Sequence, residues 1–154
     1  MKDNNNLLGY NVWSAGDYDN SLTNIQCNQD NQKIIISNDW SVNGENSFKI
    51  TRGGGTSYNW CRLRYPDNTP GRTLTCTFKV YAPSATADIW LCDMSNGSTE
   101  GSHTSVRISP SSEIQEISLT YTGTLSSVQY YALRINLIND WELLYIDDIV
   151  MFSS

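Results

Sequence analysis

Tyr58, Trp60, Arg62 and Arg64 occupy every second position of one short stretch, Ser57 to Tyr65. In an extended strand, side chains two residues apart share a face. These four therefore stand together, while Cys61 and Leu63 point the other way. Two further stretches repeat the arrangement. Over Ala87 to Met94, Ile89 and Leu91 turn inward and leave Trp90 on the opposite face. Over Tyr130 to Ile138, Tyr131, Leu133, Ile135 and Leu137 turn inward and leave Tyr130, Ala132, Arg134 and Asn136 outside. Flat aromatic rings beside planar hydrogen-bonding groups suit a sugar. The C–H faces of a pyranose stack on Trp or Tyr, and its hydroxyls pair with Arg and Asn. Rigid aromatics also supply contact area at low entropic cost. The candidate ligand-binding residues are thus Tyr58, Trp60, Arg62, Trp90, Arg134 and Asn136. Arg62 and Arg64 would also suit an acidic group such as a uronic acid or a phosphate. Trp13, Trp40 and Trp141 lie beside turn-forming residues and are expected to be structural.

Catalysis is not expected. Glycoside hydrolysis needs two carboxylates about 5–9.5 Å apart across a cleft. The glutamates Glu45, Glu100, Glu113, Glu116 and Glu142 fall in turns or at strand entries, and none forms a constellation on one strand. A Ser-His-Asp triad would have to use His103, which sits in a Gly/Ser-rich stretch without a nucleophile elbow. Cys27, Cys61, Cys76 and Cys92 are widely spaced with no CxxC pair, so zinc is not expected. Two disulfides are open, but their pairing cannot be read from spacing. The favoured reading makes Cys61 and Cys76 small buried residues in strands.

The elements that must position these residues are strands. Helical periodicity is absent, and short β-rich runs recur between Gly, Asn, Pro and Ser clusters. Strands are expected over Lys33 to Ser37, Ser47 to Arg52, Ser57 to Tyr65, Arg72 to Tyr81 and Ala87 to Met94. Four more follow over Ser105 to Ser109, Glu113 to Tyr121, Tyr130 to Ile138 and Leu143 to Phe152, with a Gly-rich loop over Ser95 to Ser102. Asn43-Gly44 is a hairpin signal before Ser47. Regular short strands predict an all-β fold, a two-sheet antiparallel β-sandwich of the jelly-roll kind.

The chain of 154 residues suits a single domain, with no repeat or linker. Its 16 acids against 10 bases give a net charge of −6, which argues against a nucleic-acid binder with a clustered basic footprint. No apolar run reaches the roughly 20 residues that span a bilayer. The opening MKDNNNLLGY lacks the apolar core of a signal peptide. Residues 1–154 are expected to be one module taken from a larger exported protein, monomeric and working outside the cell or at its surface.

Several stretches resemble the β-sandwich carbohydrate-binding modules of the family 4, 9 and 22 type. Leu144-Tyr145-Ile146-Asp147-Asp148-Ile149-Val150-Met151-Phe152 is similar to their last strand, and Val42 to Ile50 to their x-G-x-x-S-φ-x-φ hairpin, where φ is apolar. Asn6-Leu7-Leu8 is similar to their opening, and Thr75 to Ala82 to a central strand. The resemblance implies a jelly-roll sandwich that binds polysaccharide in a groove on its concave sheet, without catalysis. Residue by residue it falls on the six positions named above. It also implies one structural calcium, with Asp147 supplying a side-chain oxygen, although the Phe-Glu usual near the N-terminus is missing here. The other class that fits is a cell-surface or phage-type adhesion domain whose partner is a protein or an envelope glycan.

Overall fold

The computed structural model describes residues 25–27, 32–42, 46–55, 60–96 and 99–153. Their strands are β1 (Ile25–Cys27), β2 (Gln32–Ser37), β3 (Ser47–Arg52), β4 (Cys61–Tyr65), β5 (Thr73–Tyr81), β6 (Ala87–Met94), β7 (Glu100–Ile108), β8 (Gln115–Thr122), β9 (Tyr130–Leu137) and β10 (Leu143–Ser153). No helix occurs among the described residues, so none there is long and apolar enough to cross a membrane.

The strands form two antiparallel sheets of five, ordered β1-β4-β9-β6-β7 and β2-β3-β10-β5-β8. From β3 to β10 the chain passes from sheet to sheet, except at the β6–β7 hairpin. That is the jelly-roll order expected from the sequence, with β1 and β2 added at one edge of each sheet. Period-two patterning drives it. In β5, Leu74, Cys76, Phe78 and Val80 are buried, and the residues between them are half-buried. They meet Leu63, Ile89, Leu91, Leu133 and Ile135 from the facing sheet, all fully buried. Each such side chain contributes roughly 1.5–3 kcal/mol through the apolar surface it removes from water.

Three boundaries differ from expectation. Strand β1 is a three-residue edge that no run of apolar residues announces. Strand β7 begins at Glu100, inside the stretch expected to be a loop. Ser37 pairs with Ser47, so β2 and β3 are joined by a long connection and not by a two-residue hairpin. Residues 43–45, the Asn-Gly signal among them, lie outside the described residues, as do Tyr58, Trp13 and Asn6 to Leu8.

The cysteines divide. Cys76 and Cys92 are free and buried, and burial pushes both thiols far above their ordinary range. Cys61 corrects the expectation of a simple buried thiol, because it is bonded to Cys27. The two stand directly opposite each other in the β1–β4 pair. At that register, antiparallel neighbours come close enough for a disulfide. The bridge ties the short edge strand to the sheet and closes a chain separation of 34 residues. Reduction is expected to cost about 3–4 kcal/mol of stability by the loop-entropy relation. Urea unfolding with and without dithiothreitol measures it. A thiol reagent should find no reactive cysteine in the folded oxidised protein and two after unfolding.

Candidate functional site

One line of residues crosses the first sheet on the face turned away from the core. Register places Gln26 opposite Arg62, Arg62 opposite Arg134, Arg134 opposite Trp90, and Trp90 opposite Ser105. Trp60 immediately precedes β4, two residues before Arg62, and shares its face. The alternation read from the sequence therefore brings Trp60, Arg62, Trp90, Arg134 and Asn136 together. Tyr58 lies outside the described residues.

Exposure is where the expectation needs correction. Arg62 and Arg134 are on the outer face, yet only 3% and 5% exposed. They do not project into solvent as free donors. The Arg62 guanidinium lies 3.8 Å from the centre of the Trp60 ring, and that of Arg134 lies 4.5 Å from the Trp90 ring and 5.5 Å from the Trp60 ring. Two half-buried indoles thus hold two guanidiniums between them. Flat, weakly hydrated guanidinium is the cation that stacks on aromatic faces, which Lys cannot do as well. Asn136 is half-buried and accepts a long hydrogen bond from Arg134 Nε, at 3.4 Å. Beyond this group, Arg64 lies over the Tyr130 ring. Trp90, Cys92, Met94, Tyr130 and Ala132 form a small apolar cluster on the same side.

The carboxylate that completes the group is Glu100, which the sequence pattern assigns to a turn and the structure places in β7. Its Oε2 accepts from Arg134 Nη1 at 2.9 Å and stands 3.9 Å from Arg62 Nη2. Its Oε1 accepts from Trp90 Nε1 at 2.8 Å and stands 3.7 Å from His103 Nδ1. The His103 ring lies tilted against Trp90, centres 5.2 Å apart. Extending the alternation of Ser105 and Arg107 back along β7 would have put His103 on this face. Glu100 has the wrong parity and was not legible that way.

A bulge supplies the missing residue. Cys92 pairs with His103 but Met94 pairs with Glu100, so three steps along β7 oppose two along β6. The extra residue turns Glu100 to the outer face. Gly101 makes the bulge possible, since a Cβ there would collide with the carboxylate of Asp93. Asp93 is fully buried. It accepts from the Tyr121 hydroxyl at 2.5 Å and from the backbone N–H groups of Thr124 and Leu125, each at 2.9 Å. Burial, reinforced by the bond to Asp93, pushes the Tyr121 phenol up to about 12.

Asp147 sits elsewhere, on the second sheet, where β10 breaks its pairing with β5 between Asp147 and Val150. Its Oδ2 accepts from the Val42 N–H at 2.7 Å and its Oδ1 from the Asp148 N–H at 2.8 Å. Asp148 has φ 56° and accepts from Lys79 Nζ at 2.9 Å. A hard cation of the calcium kind takes six to eight oxygen ligands. Among the described residues no group of three or more His, Cys, Asp or Glu is placed to hold a metal ion by side chains alone; a calcium site would draw on backbone carbonyls beside Asp147.

The sequence matches no protein-family model and no curated protein sequence. Solved structures do match in fold. The xylan-binding domain CBM22-1 from Paenibacillus barcinonensis Xyn10C superposes with a TM-score of 0.67 at 10% identity, covering 99% of this chain and 97% of that one. The family 11 carbohydrate-binding module from Clostridium thermocellum, solved with a β-1,3-1,4-mixed-linked tetrasaccharide, gives 0.62 at 16% identity, covering 87% and 91%. The enzymatically active domain of bacteriophage CBA120 tailspike protein 4 gives 0.72 at 12% identity, over 97% of this chain and 22% of that one. The chain thus spans under a quarter of the length of that tailspike domain. The fold is a two-sheet β-sandwich that these carbohydrate-binding modules and part of the tailspike domain share.

Two changes test the construction of the site. Gly101→Ala should destabilise the fold by about 1–3 kcal/mol, because a Cβ in the bulge overpacks Asp93. Glu100→Ala should cost roughly 2–3 kcal/mol, leaving Arg134 short of its partner; that is less than for a wholly buried pair because Glu100 is partly exposed. Thermal unfolding reads both. A Glu100→Ala protein as stable as the parent would mean that the carboxylate is not what holds the guanidiniums.

Proposed function

We propose that this chain is a non-catalytic carbohydrate-binding module that takes a polysaccharide across the outer face of the β1-β4-β9-β6-β7 sheet. One observation carries the reading. Trp60 and Trp90 stand on that face, each fixed by a guanidinium and neither fully buried. Such indoles are preformed platforms for pyranose rings, and fixing them in advance lowers the entropic cost of binding. Their neighbours Asn136 and His103 offer hydrogen bonds to hydroxyls. In this reading Arg62 and Arg134 chiefly position the indoles, and the face forms the floor of a groove.

Fold likeness supports the same ligand class. One similar module is a xylan-binding domain and another was solved with a β-1,3-1,4-mixed-linked tetrasaccharide, so polymers of those two kinds come first. Binding without catalysis also agrees with the carboxylates of this face. Glu100 is engaged by Arg134, and Asp88 is held by two nitrogens of Arg107; neither is arranged as a proton donor. The Cys27–Cys61 bond supports an oxidising setting, outside the cell or at its surface. A second reading is an adhesion domain on a phage or cell surface that recognises an envelope glycan or a protein; the fold likeness to part of a phage tailspike domain is compatible with it.

Affinity electrophoresis against xylan, mixed-linkage glucan, xyloglucan, mannan and pectin tests the proposal. At least one neutral polymer should retard the protein, free oligosaccharide should relieve the retardation, and salt should change it little. Trp90→Ala should weaken binding by about tenfold, which corresponds to ~1.4 kcal/mol, and leave the fold cooperative. Retardation by none of them sinks the glycan reading in this form and moves weight to a protein partner.

A calcium ion at Asp147 is a separate proposal, and no part of glycan recognition is routed through it. Asp147 already serves two backbone amides, so its carboxylate is fixed in place for an ion. A chelator should lower the Tm by several degrees, and Asp147→Asn should abolish that response; a Tm unchanged by chelator overturns the proposal.

A further inference from the structure

Trp141 is 81% exposed, the most exposed large hydrophobic side chain among the described residues. The sequence reading expected it to be structural. It lies in the β9–β10 turn with φ 64°, a left-handed conformation that a bulky side chain rarely adopts. The indole packs over the Gly54 backbone and keeps 81% of its surface in water, so burial accounts for little of the strain and the strain points to function.

The turn is held firmly in that shape. The Trp141 N–H donates to the Arg52 carbonyl at 2.8 Å, and the Arg52 N–H to the Glu142 carbonyl at 3.1 Å. The Arg52 guanidinium, 8% exposed as a residue, donates to the carbonyls of Leu137 and Ile138 and to Asp140 Oδ1. Glu142 accepts from Asn139 Nδ2 and from the Thr86 N–H. Gly54 lies under the indole: a Cβ there would come within 2.9 Å of Trp141 Cζ2 and 3.1 Å of its Nε1. The ring is thus seated on bare backbone and presented to water.

We infer that Trp141 is a second pyranose-stacking platform, at the end of the sandwich, set apart from the Trp60–Trp90 face. The surroundings select the ligand class. Asn139 and Asp140, both exposed, precede Trp141 in the turn; Asp140 Oδ1 is taken by Arg52 and Asn139 Nδ2 by Glu142, and oxygens of this kind suit vicinal hydroxyls. A membrane wedge would be flanked by exposed lysines or arginines; here the turn carries Asp140 and Glu142, and Arg52 is buried beneath it. A stable protein partner buries about 800 Å² of each surface around a cluster of anchor side chains. The only other large exposed apolar side chain in this turn is Ile138. Ile114, also exposed, belongs to the β7–β8 connection, two strands further across each sheet.

The inference rests on the glycan-binding reading above, and the experiment separates the two. Trp141→Gly and Trp141→Phe are compared with Trp90→Ala by affinity electrophoresis in whichever polysaccharide retards the parent protein, with thermal unfolding alongside. Glycine adopts a positive φ without strain. Trp141→Gly should therefore raise the Tm or leave it unchanged while weakening binding at least fivefold, and Trp141→Phe, which keeps a ring, should retain most of the affinity. If Trp90→Ala weakens binding and Trp141→Gly binds like the parent, the second platform is wrong and the first reading stands. If Trp141→Gly lowers the Tm markedly, the indole is structural and the inference fails. If no polysaccharide retards the parent, both fall.

Discussion

Two arginines are buried on the outward face of a β-sheet, and most of the site follows from the need to satisfy them. Taking a guanidinium out of water costs several kcal/mol unless its charge and its donors are met. Arg62 and Arg134 sit side by side in the β4–β9 register, so they also repel each other. Glu100 answers both, at 2.9 Å from Arg134 and 3.9 Å from Arg62. Trp60 and Trp90 cover the guanidinium faces that no hydrogen bond can serve. The indoles are therefore fixed by the same group that needs them.

That arrangement reaches far into the fold. Glu100 can face outward only because β7 bulges, and β7 can bulge there only because Gly101 has no Cβ to strike Asp93. Asp93 in turn fixes the chain after β8 through Tyr121, Thr124 and Leu125. On the other flank the Cys27–Cys61 bond lies between Trp60 and Arg62 in sequence and pins β4 to its edge strand. The surface is thus anchored from both edges of its sheet, β1 and β7, by features that serve no ligand themselves.

The sequence carried the fold and one face of the site through a single property, period-two alternation. It was clean in β5, where Leu74, Cys76, Phe78 and Val80 are all buried, and it correctly put Trp60, Arg62, Trp90, Arg134 and Asn136 on one side. Alternation fails wherever the pleat is interrupted. Glu100 is invisible to it because a bulge reverses its parity, and β1 is too short to show a period at all. Alternation also reports a face and not its depth. Alternation puts Arg62 and Arg134 at the surface, because nothing local tells that indoles and a carboxylate close over them. The disulfide depends on register between strands far apart in sequence, which spacing does not encode.

The second sheet shows what aromatic residues look like when they are not kept for a ligand. On its outer face Trp40 stacks on Tyr81 with centres 5.3 Å apart, and Tyr145 lies 5.8 Å and 6.0 Å from the two. Lys49 sits over the Tyr145 ring and is held by Asp39. These three rings spend their faces on one another, and Tyr145 is only 8% exposed. The arrangement explains them as packing and asks for no partner. On the first sheet Trp60 and Trp90, half-buried as Trp40 and Tyr81 also are, stack on guanidiniums and not on other rings of a cluster, and Trp141 rests on a glycine with 81% of its surface in water. Sequence composition counts all five Trp alike. What separates them is which face of the ring the protein has already used, and that makes the first sheet and the β9–β10 turn, rather than the second sheet, the places to look for a ligand.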